Sequence, residues 1–282
     1  MNKLFLPQYD LNMTLLGGQS FAWDFEDGYY YGFTKDKVVK LKLDVETYHD
    51  KPLLYWQTYP KKDNFDFVEK YLRLEVNYPQ IIKKIQKDKY IKLAIKQYPN
   101  LRLLKQDFEE TLLSFIVSAN NNIRSIRKII RSMNMKFGKS LNVNGKKIFL
   151  FPETEVIANA KLNDLLECKL GFRAKYIKGA AKHLLKTDLS KKVTEMLESD
   201  VRNSLLEING VGDKIADCVL VFGLGFDNVT PLDVWGRRIF EEFYKLDPKM
   251  KYGTMRNWAS NYFEGYSAWA GQFLYEYIRN HK

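Results

Sequence analysis

Sulfur and imidazole are scarce in this sequence. In 282 residues there are two cysteines, Cys168 and Cys218, and three scattered histidines, His49, His183 and His281. Two thiols cannot furnish the four thiolates of an iron–sulfur cluster, and no Cys/His grouping has zinc-ligand spacing. The chemistry expected here runs without a redox or Lewis-acid metal. The two cysteines could pair, but a cytosolic protein of this size does not need a disulfide. Long apolar runs are missing too: none approaches the roughly 18 residues of a membrane span. Met1–Asp10 lacks the basic start and long apolar stretch of a signal peptide. A cytoplasmic protein with no membrane contact is the expectation. Acidic residues are outnumbered, 34 against 45 basic, giving a formal charge of +11 and a pI near 9.3. Such an excess attracts polyanions regardless of their sequence, nucleic acid first among them. Lysines on ordinary solvated faces would give the same count.

With 45% hydrophobic residues a proper core can form. The first hundred residues carry short β-type runs at Ser20–Phe25, Tyr29–Phe33, Val38–Leu43 and Leu53–Tyr59, with an Asp27-Gly28 hairpin signal. Phe67, Tyr71 and Leu74 then share one face of a helix over Asp66–Glu75. From Asp107 the period turns helical. Helices are expected around Phe108–Ile116, Ile123–Ile130, Ala158–Leu166, Ala174–Lys186, Val193–Ile208, Lys214–Phe222, Val234–Tyr244 and Tyr266–Asn280, with Asn142–Gly145 as a polar surface loop. There is no internal repeat or low-complexity segment.

The most informative stretch is Leu205–Cys218. One helix ends, Gly210-Val211-Gly212 turns the chain, and another helix begins at Lys214. Glycines permit positive φ and leave backbone N–H groups open to a phosphate. The same residues also suit an ordinary hairpin turn with a glycine cap. Downstream, Val229-Thr230-Pro231-Leu232-Asp233 offers an isolated carboxylate at a helix N-cap. One helix and a return loop separate Lys214 from Asp233, enough for the two to face each other across a cleft.

The hairpin followed by a loop with Pro and Asp resembles the helix–hairpin–helix DNA glycosylase superfamily. A lysine four residues after the first glycine of the turn marks its members with lyase activity. Three further motifs are similar to those of the 8-oxoguanine DNA glycosylases: Gly18-Gln19-Ser20-Phe21-Ala22-Trp23, the triple asparagine Asn120-Asn121-Asn122, and Gly171-Phe172-Arg173-Ala174-Lys175-Tyr176. They fall in the family's order across nearly the whole chain. The resemblance implies an α+β fold, with an N-terminal TATA-binding-protein-like antiparallel sheet domain with flanking helices (residues 1–104) and an all-helical helix–hairpin–helix glycosylase core (residues 105–282). It implies a bifunctional DNA glycosylase and AP lyase, monomeric and without a required cofactor, acting on double-stranded DNA that contains 8-oxoguanine. Two alternatives stand beside it: a glycosylase of the same superfamily for another damaged base, and a non-enzymatic helix–hairpin–helix DNA-binding protein.

By the same resemblance, Lys214 is the nucleophile and Asp233 stabilises charge on the sugar. Gly18, Cys218 and Tyr275 bind the base, with Gln272 able to shift in because Gly271 stands where the family has glutamine. Asn120 fills the gap left by the flipped nucleotide, Arg173 reads the opposite cytosine, and Phe172 wedges into the stack. Gly210 and Gly212 serve the DNA backbone. The carbonyls of Leu206, Ile208 and Val211 match a monovalent-cation site, or are satisfied within the turn. A second cytosine-reading arginine of the eukaryotic enzymes aligns with Ser125, and Arg124 beside it is expected to point elsewhere. Trp269 and Phe273 are assigned to the core, which is also an alternative for Cys218.

Overall fold

A computed structural model describes residues 1–6, 9–44 and 52–280; His49 and His281 lie outside these described residues. Strand β1 (Asn2–Phe5) leads to helix α1 (Leu11–Leu16), where Asp10 accepts a hydrogen bond from the Met13 N–H. β2 (Trp23–Glu26), β3 (Tyr29–Phe33), β4 (Val38–Asp44) and β5 (Leu53–Tyr59) complete a five-stranded antiparallel sheet ordered β1-β5-β4-β3-β2. Asp27 and Gly28 both take positive φ, as a two-residue hairpin turn requires. The first expected strand starts at Trp23 rather than Ser20, because the Ala22 N–H turns back onto Ser20 Oγ and Phe21 packs edge-on against Phe115.

Helices α2 (Phe65–Leu72), α3 (Tyr78–Ile85) and α4 (Lys89–Gln97) follow, each N-capped by an Asn or Asp side chain, Asn64, Asn77 and Asp88. α2 is shorter than the expected Asp66–Glu75 because Arg73 turns left-handed at φ 53°. β1, α1, α3 and α4 are elements the sequence pattern did not reveal. They are four to nine residues long, too short for period alone to identify and held mainly by caps and packing.

The remainder comprises α5 (Phe108–Val117), α6 (Ile123–Phe137), a hairpin of β6 (Ser140–Val143) and β7 (Lys146–Phe149), then α7 (Thr154–Asn159), α8 (Leu162–Glu167), α9 (Arg173–Thr187) and α10 (Leu189–Lys192). The last group is α11 (Glu198–Leu206), α12 (Asp213–Val219), α13 (Val234–Glu242), α14 (Tyr252–Tyr262) and α15 (Ser267–Asn280). The expected loop at Asn142–Gly145 is the turn of the β6–β7 hairpin: Asn144 and Gly145 have positive φ, and Asn142 Oδ1 accepts from the Gly145 N–H. Extended backbone at Ala160 and Lys161 divides the expected Ala158–Leu166 helix, and extended Leu197 delays the next one to Glu198.

Two helices organise the centre. α5 buries nearly all its residues against α9, α12 and a π-helical turn, Leu220–Leu224, that extends α12. α15 packs on α3 and α4 at one side and on α13 and α14 at the other. The starts of α12 and α13, the Gly17–Gly18 turn and the middle of α15 thereby surround one cavity.

Candidate active site

α11 runs into Glu207, and the chain turns at Gly210 with φ +91°. Only glycine fits there on two counts: the left-handed backbone, and the Tyr176 ring, whose Cγ would lie 2.6 Å from any added Cβ. Gly212 is the N-cap of α12 and has open space where a Cβ would be. Lys214 therefore sits in the first turn of α12, one turn before Cys218 on the same face. Its ammonium donates to Ser118 Oγ at 3.3 Å and lies 5.0 Å from the Phe115 ring centroid. Cys218 is 2% exposed. Burial pushes its thiol up to about 12, against the pull of the Lys214 charge. The partner of Lys214 is thus a neutral thiol, and their contact is that of a charge with a dipole.

Asp233 caps α13, with Oδ1 accepting from the Gly236 N–H at 2.8 Å. This is the cap expected from the sequence, made through one carboxylate oxygen. Lys214 and Asp233 line the same cavity, together with Gly18, Cys218, Tyr275, Gly271 and Gln272. That cavity adjoins a cleft of about 930 Å³, lined by Asn120, Gly212, Arg124, Trp235 and Arg279 among others, and again by Lys214, Asp233, Gly18 and Tyr275. Gly18 has φ +102°, and an added Cβ would meet Ile123 Cδ1 at 2.9 Å. Arg279 fixes the turn by donating to the Gly17 carbonyl at 3.0 Å.

Residues 3–112 match the family of the 8-oxoguanine DNA glycosylase N-terminal domain, and residues 113–263 match the HhH-GPD superfamily of base excision DNA repair proteins. The chain belongs to this glycosylase family. The N-glycosylase/DNA lyase of Saccharomyces cerevisiae is 33% identical over an alignment covering 82% of this chain and 67% of its own. N-glycosylase/DNA lyase OGG1 of Arabidopsis thaliana is 25% identical, covering 97% and 78%. Among solved structures, MBOgg1 bound to a low-affinity DNA ligand superposes with TM-score 0.89 at 34% identity, covering 99% and 95%. The Clostridium acetobutylicum 8-oxoguanine glycosylase/lyase, bound to duplex DNA with cytosine opposite 8-oxoG, gives 0.86 at 28% identity, covering 96% and 92%.

Within this glycosylase fold the three consecutive asparagines do different work. Asn120 is exposed in the left-handed region at φ 48°. Asn121 donates to the Val117 carbonyl, and Asn122 caps α6 through the Ser125 N–H. Arg173 donates to the Ala119 carbonyl and, at 3.0 Å, to that of Asn120. Its guanidinium is 4.5 Å from the Phe172 ring. Phe172 itself is 52% exposed at a turn where Gly171 has φ +57°. The bonds to Ala119 and Asn120 tie Arg173 to the turn that carries Asn120. Arg124, expected to point elsewhere, lines the cleft, whereas Ser125 does not. Gln272 reaches the cavity wall, but its amide nitrogen is engaged by Glu276 Oε1 at 3.1 Å. Trp269 and Phe273 are buried, as assigned.

Three contributors escape the sequence reading. Trp235 and Arg124 line the cleft, and Asp217 holds the scaffold. Asp217, fully buried, accepts from Arg202 Nε at 3.0 Å and from Tyr252 Oη at 2.8 Å, and pairs with Arg256 at 3.2 Å. Tyr252 Oη accepts the Leu232 N–H at 3.1 Å, one residue before Asp233. This chain of bonds locks the helix bearing Lys214 to the loop bearing Asp233. The available signal is a lone carboxylate inside the apolar run Ile215–Phe222.

Proposed function

We propose that this chain is a bifunctional DNA glycosylase and AP lyase that removes 8-oxoguanine from duplex DNA in base excision repair. The observation that carries the reading is the convergence of Lys214 and Asp233 on one cavity with Gly18, Cys218 and Tyr275. A glycosidic bond inside a stacked duplex is out of reach, so the nucleotide must be flipped into the protein. The cleft leads to the cavity; Asn120, on the cleft wall, would fill the gap, and Phe172, exposed at its turn, would enter the stack. The Gly18 carbonyl accepts the N7–H that 8-oxoguanine has and guanine lacks, a single bond that discriminates because a buried unpaired acceptor is costly. Tyr275 stacks on the base and Cys218 packs against it.

The Lys214 ammonium first gives up a proton, with the Asp233 carboxylate as acceptor, and the freed amine attacks the sugar C1′ as the base departs with the electron pair of the glycosidic bond. Asp233 offsets the positive charge that builds on the sugar and is placed to carry protons. Ring opening gives a Schiff base between Lys214 and the sugar, and β-elimination then expels the 3′ phosphate. Gly212, open at its Cβ face, lets the DNA backbone approach the hairpin. The carbonyls of Leu206, Ile208 and Val211 are suited to a monovalent cation beneath that backbone. Ile208 O already accepts from the Val211 N–H at 2.9 Å and contributes its remaining lone pair.

Borohydride reduction in the presence of an 8-oxoguanine duplex tests the reading. The wild type is expected to form a covalent adduct. Lys214→Gln should lose both adduct and base excision while retaining DNA binding. Asp233→Asn should slow single-turnover excision roughly a hundredfold, the usual worth of about 3 kcal/mol for one preorganised charge. Undiminished trapping by the lysine variant would remove Lys214 from the mechanism.

A further inference from the structure

The wall of the cavity that would receive the base holds a buried hydroxyl without a partner. Thr230 lines this cavity, is 3% exposed, and its Oγ1 has no hydrogen-bond partner. Of the buried side-chain polar atoms without a partner among the described residues, it alone belongs to a residue of this cavity wall. Burying a hydroxyl without a bond is unfavourable, and a threonine in a pocket of few polar groups usually meets a ligand or a water.

Its neighbour makes the position informative. Thr230 Cγ2 lies 2.7 Å, and Oγ1 3.6 Å, from where a Cβ on Gly271 would be. Thr230 thus occupies the space that a side chain at residue 271 would need, and a longer residue there requires Thr230 to move. Gln272, next along α15, cannot substitute freely, because its amide nitrogen is bonded to Glu276. The polar contact that residue 271 does not make has one uncommitted group beside it.

We propose that Thr230 is a specificity-determining residue: a single rotamer step about χ1, which exchanges Oγ1 with the Cγ2 that now faces Gly271, brings its hydroxyl to the edge of the flipped purine in the place left open by Gly271. A hydroxyl rotates to donate or accept, so it can meet either a ring N–H or an exocyclic oxygen of the base. The inference rests on the proposed excision of 8-oxoguanine.

Thr230→Val is the test, since it removes the hydroxyl and keeps the shape. Two reactions are compared: single-turnover excision of 8-oxoguanine, and β-elimination at a preformed abasic site, which has no base to bind. The expected result is a roughly ten- to hundredfold slower excision, abasic-site cleavage within about twofold of wild type, and a Tm no lower than wild type because the orphaned hydroxyl is gone. Thr230→Ser, which retains the hydroxyl, should recover most of the excision rate. Excision by Thr230→Val at the wild-type rate overturns the inference alone. So does an equal loss of both reactions, or a serine variant as slow as the valine one. A wild type that releases no 8-oxoguanine overturns the proposed function, and this inference with it.

Discussion

Glu276 is fully buried on α15, with Arg279 Nη2 2.7 Å from one carboxylate oxygen and Gln272 Nε2 3.1 Å from the other. Burial raises its pKa to about 7, and the pull of Arg279 does not offset this. Between its ordinary value of 4.5 and about 7 the folded protein therefore keeps a proton that the unfolded chain has released. The resulting stability is fully present below pH 4.5 and is lost as pH rises through 7, amounting to roughly 3 kcal/mol at most. Wild-type Tm should fall by several degrees across that window. Glu276→Gln, neutral throughout, should remove this part of the slope; a variant whose Tm falls as steeply as wild type would assign the titration to another group. The sequence shows Lys214, Asp233 and Gly18 because motif spacing marks them. It hides Glu276, Thr230 and Asp217, whose roles depend on what packs against them from elsewhere in the chain. Nothing along the sequence brings Arg202, Tyr252 and Arg256 around Asp217.

At the level of elements, strands β2 to β5 and most of the longer helices are readable from period and turn chemistry, Asp27-Gly28 being the clearest case, whereas β1 and the eleven-residue α14 are not. Nor are the short capped helices, or the direction of a side chain at a helix start. Arg124 and Ser125 illustrate the second difficulty. Asn122 caps α6 through the Ser125 N–H, so both residues lie in the first turn, where a small rotation decides which one faces the cleft. The structure turns Arg124 to the cleft. Cytosine opposite the lesion is read by fixed polar partners, and serine is too short to act as an arginine fork. Discrimination of the opposite base should therefore be relaxed, with adenine, guanine and thymine tolerated better than in a relative carrying arginine at the Ser125 position. Ser125→Arg should raise the preference for cytosine about ten- to a hundredfold in single-turnover excision. A wild type already selective for cytosine by a thousandfold would show that another residue does the reading, with Asn120, Arg173 and Arg124 as the candidates, and would overturn the expectation.

For the whole molecule, the formal charge of +11 gains meaning from its placement. The cleft is lined by Arg124, Lys214, Arg237 and Arg279 against two carboxylates, Asp213 and Asp233. Arg237 is bonded to the carbonyls of Pro248 and Met250 and pairs with Glu241 at 3.5 Å; Arg279 is bonded to the Gly17 carbonyl and pairs with Glu276 at 2.7 Å. These two guanidiniums are thus held in place with part of their charge offset by a carboxylate, and Arg124 and Lys214 complete the positive lining of the cleft. Many other basic residues are paired at the surface, such as Lys136 with Asp164, and contribute less to a long-range field. No helix among the described residues is long and apolar enough to cross a membrane. The basic lining of the cleft gives the polyanion reading of the charge a structural seat. Binding to undamaged duplex should then weaken steeply with salt, by about 0.9 in log K per unit of log salt for each phosphate neutralised, through counterion release. Arg124→Ala should flatten that line by about one phosphate if the side chain meets the backbone. Fluorescence anisotropy across a salt series measures both. A flat line for the wild type would mean that the positive surplus lies away from the DNA-binding face, and that the cleft is not the path by which DNA reaches Lys214.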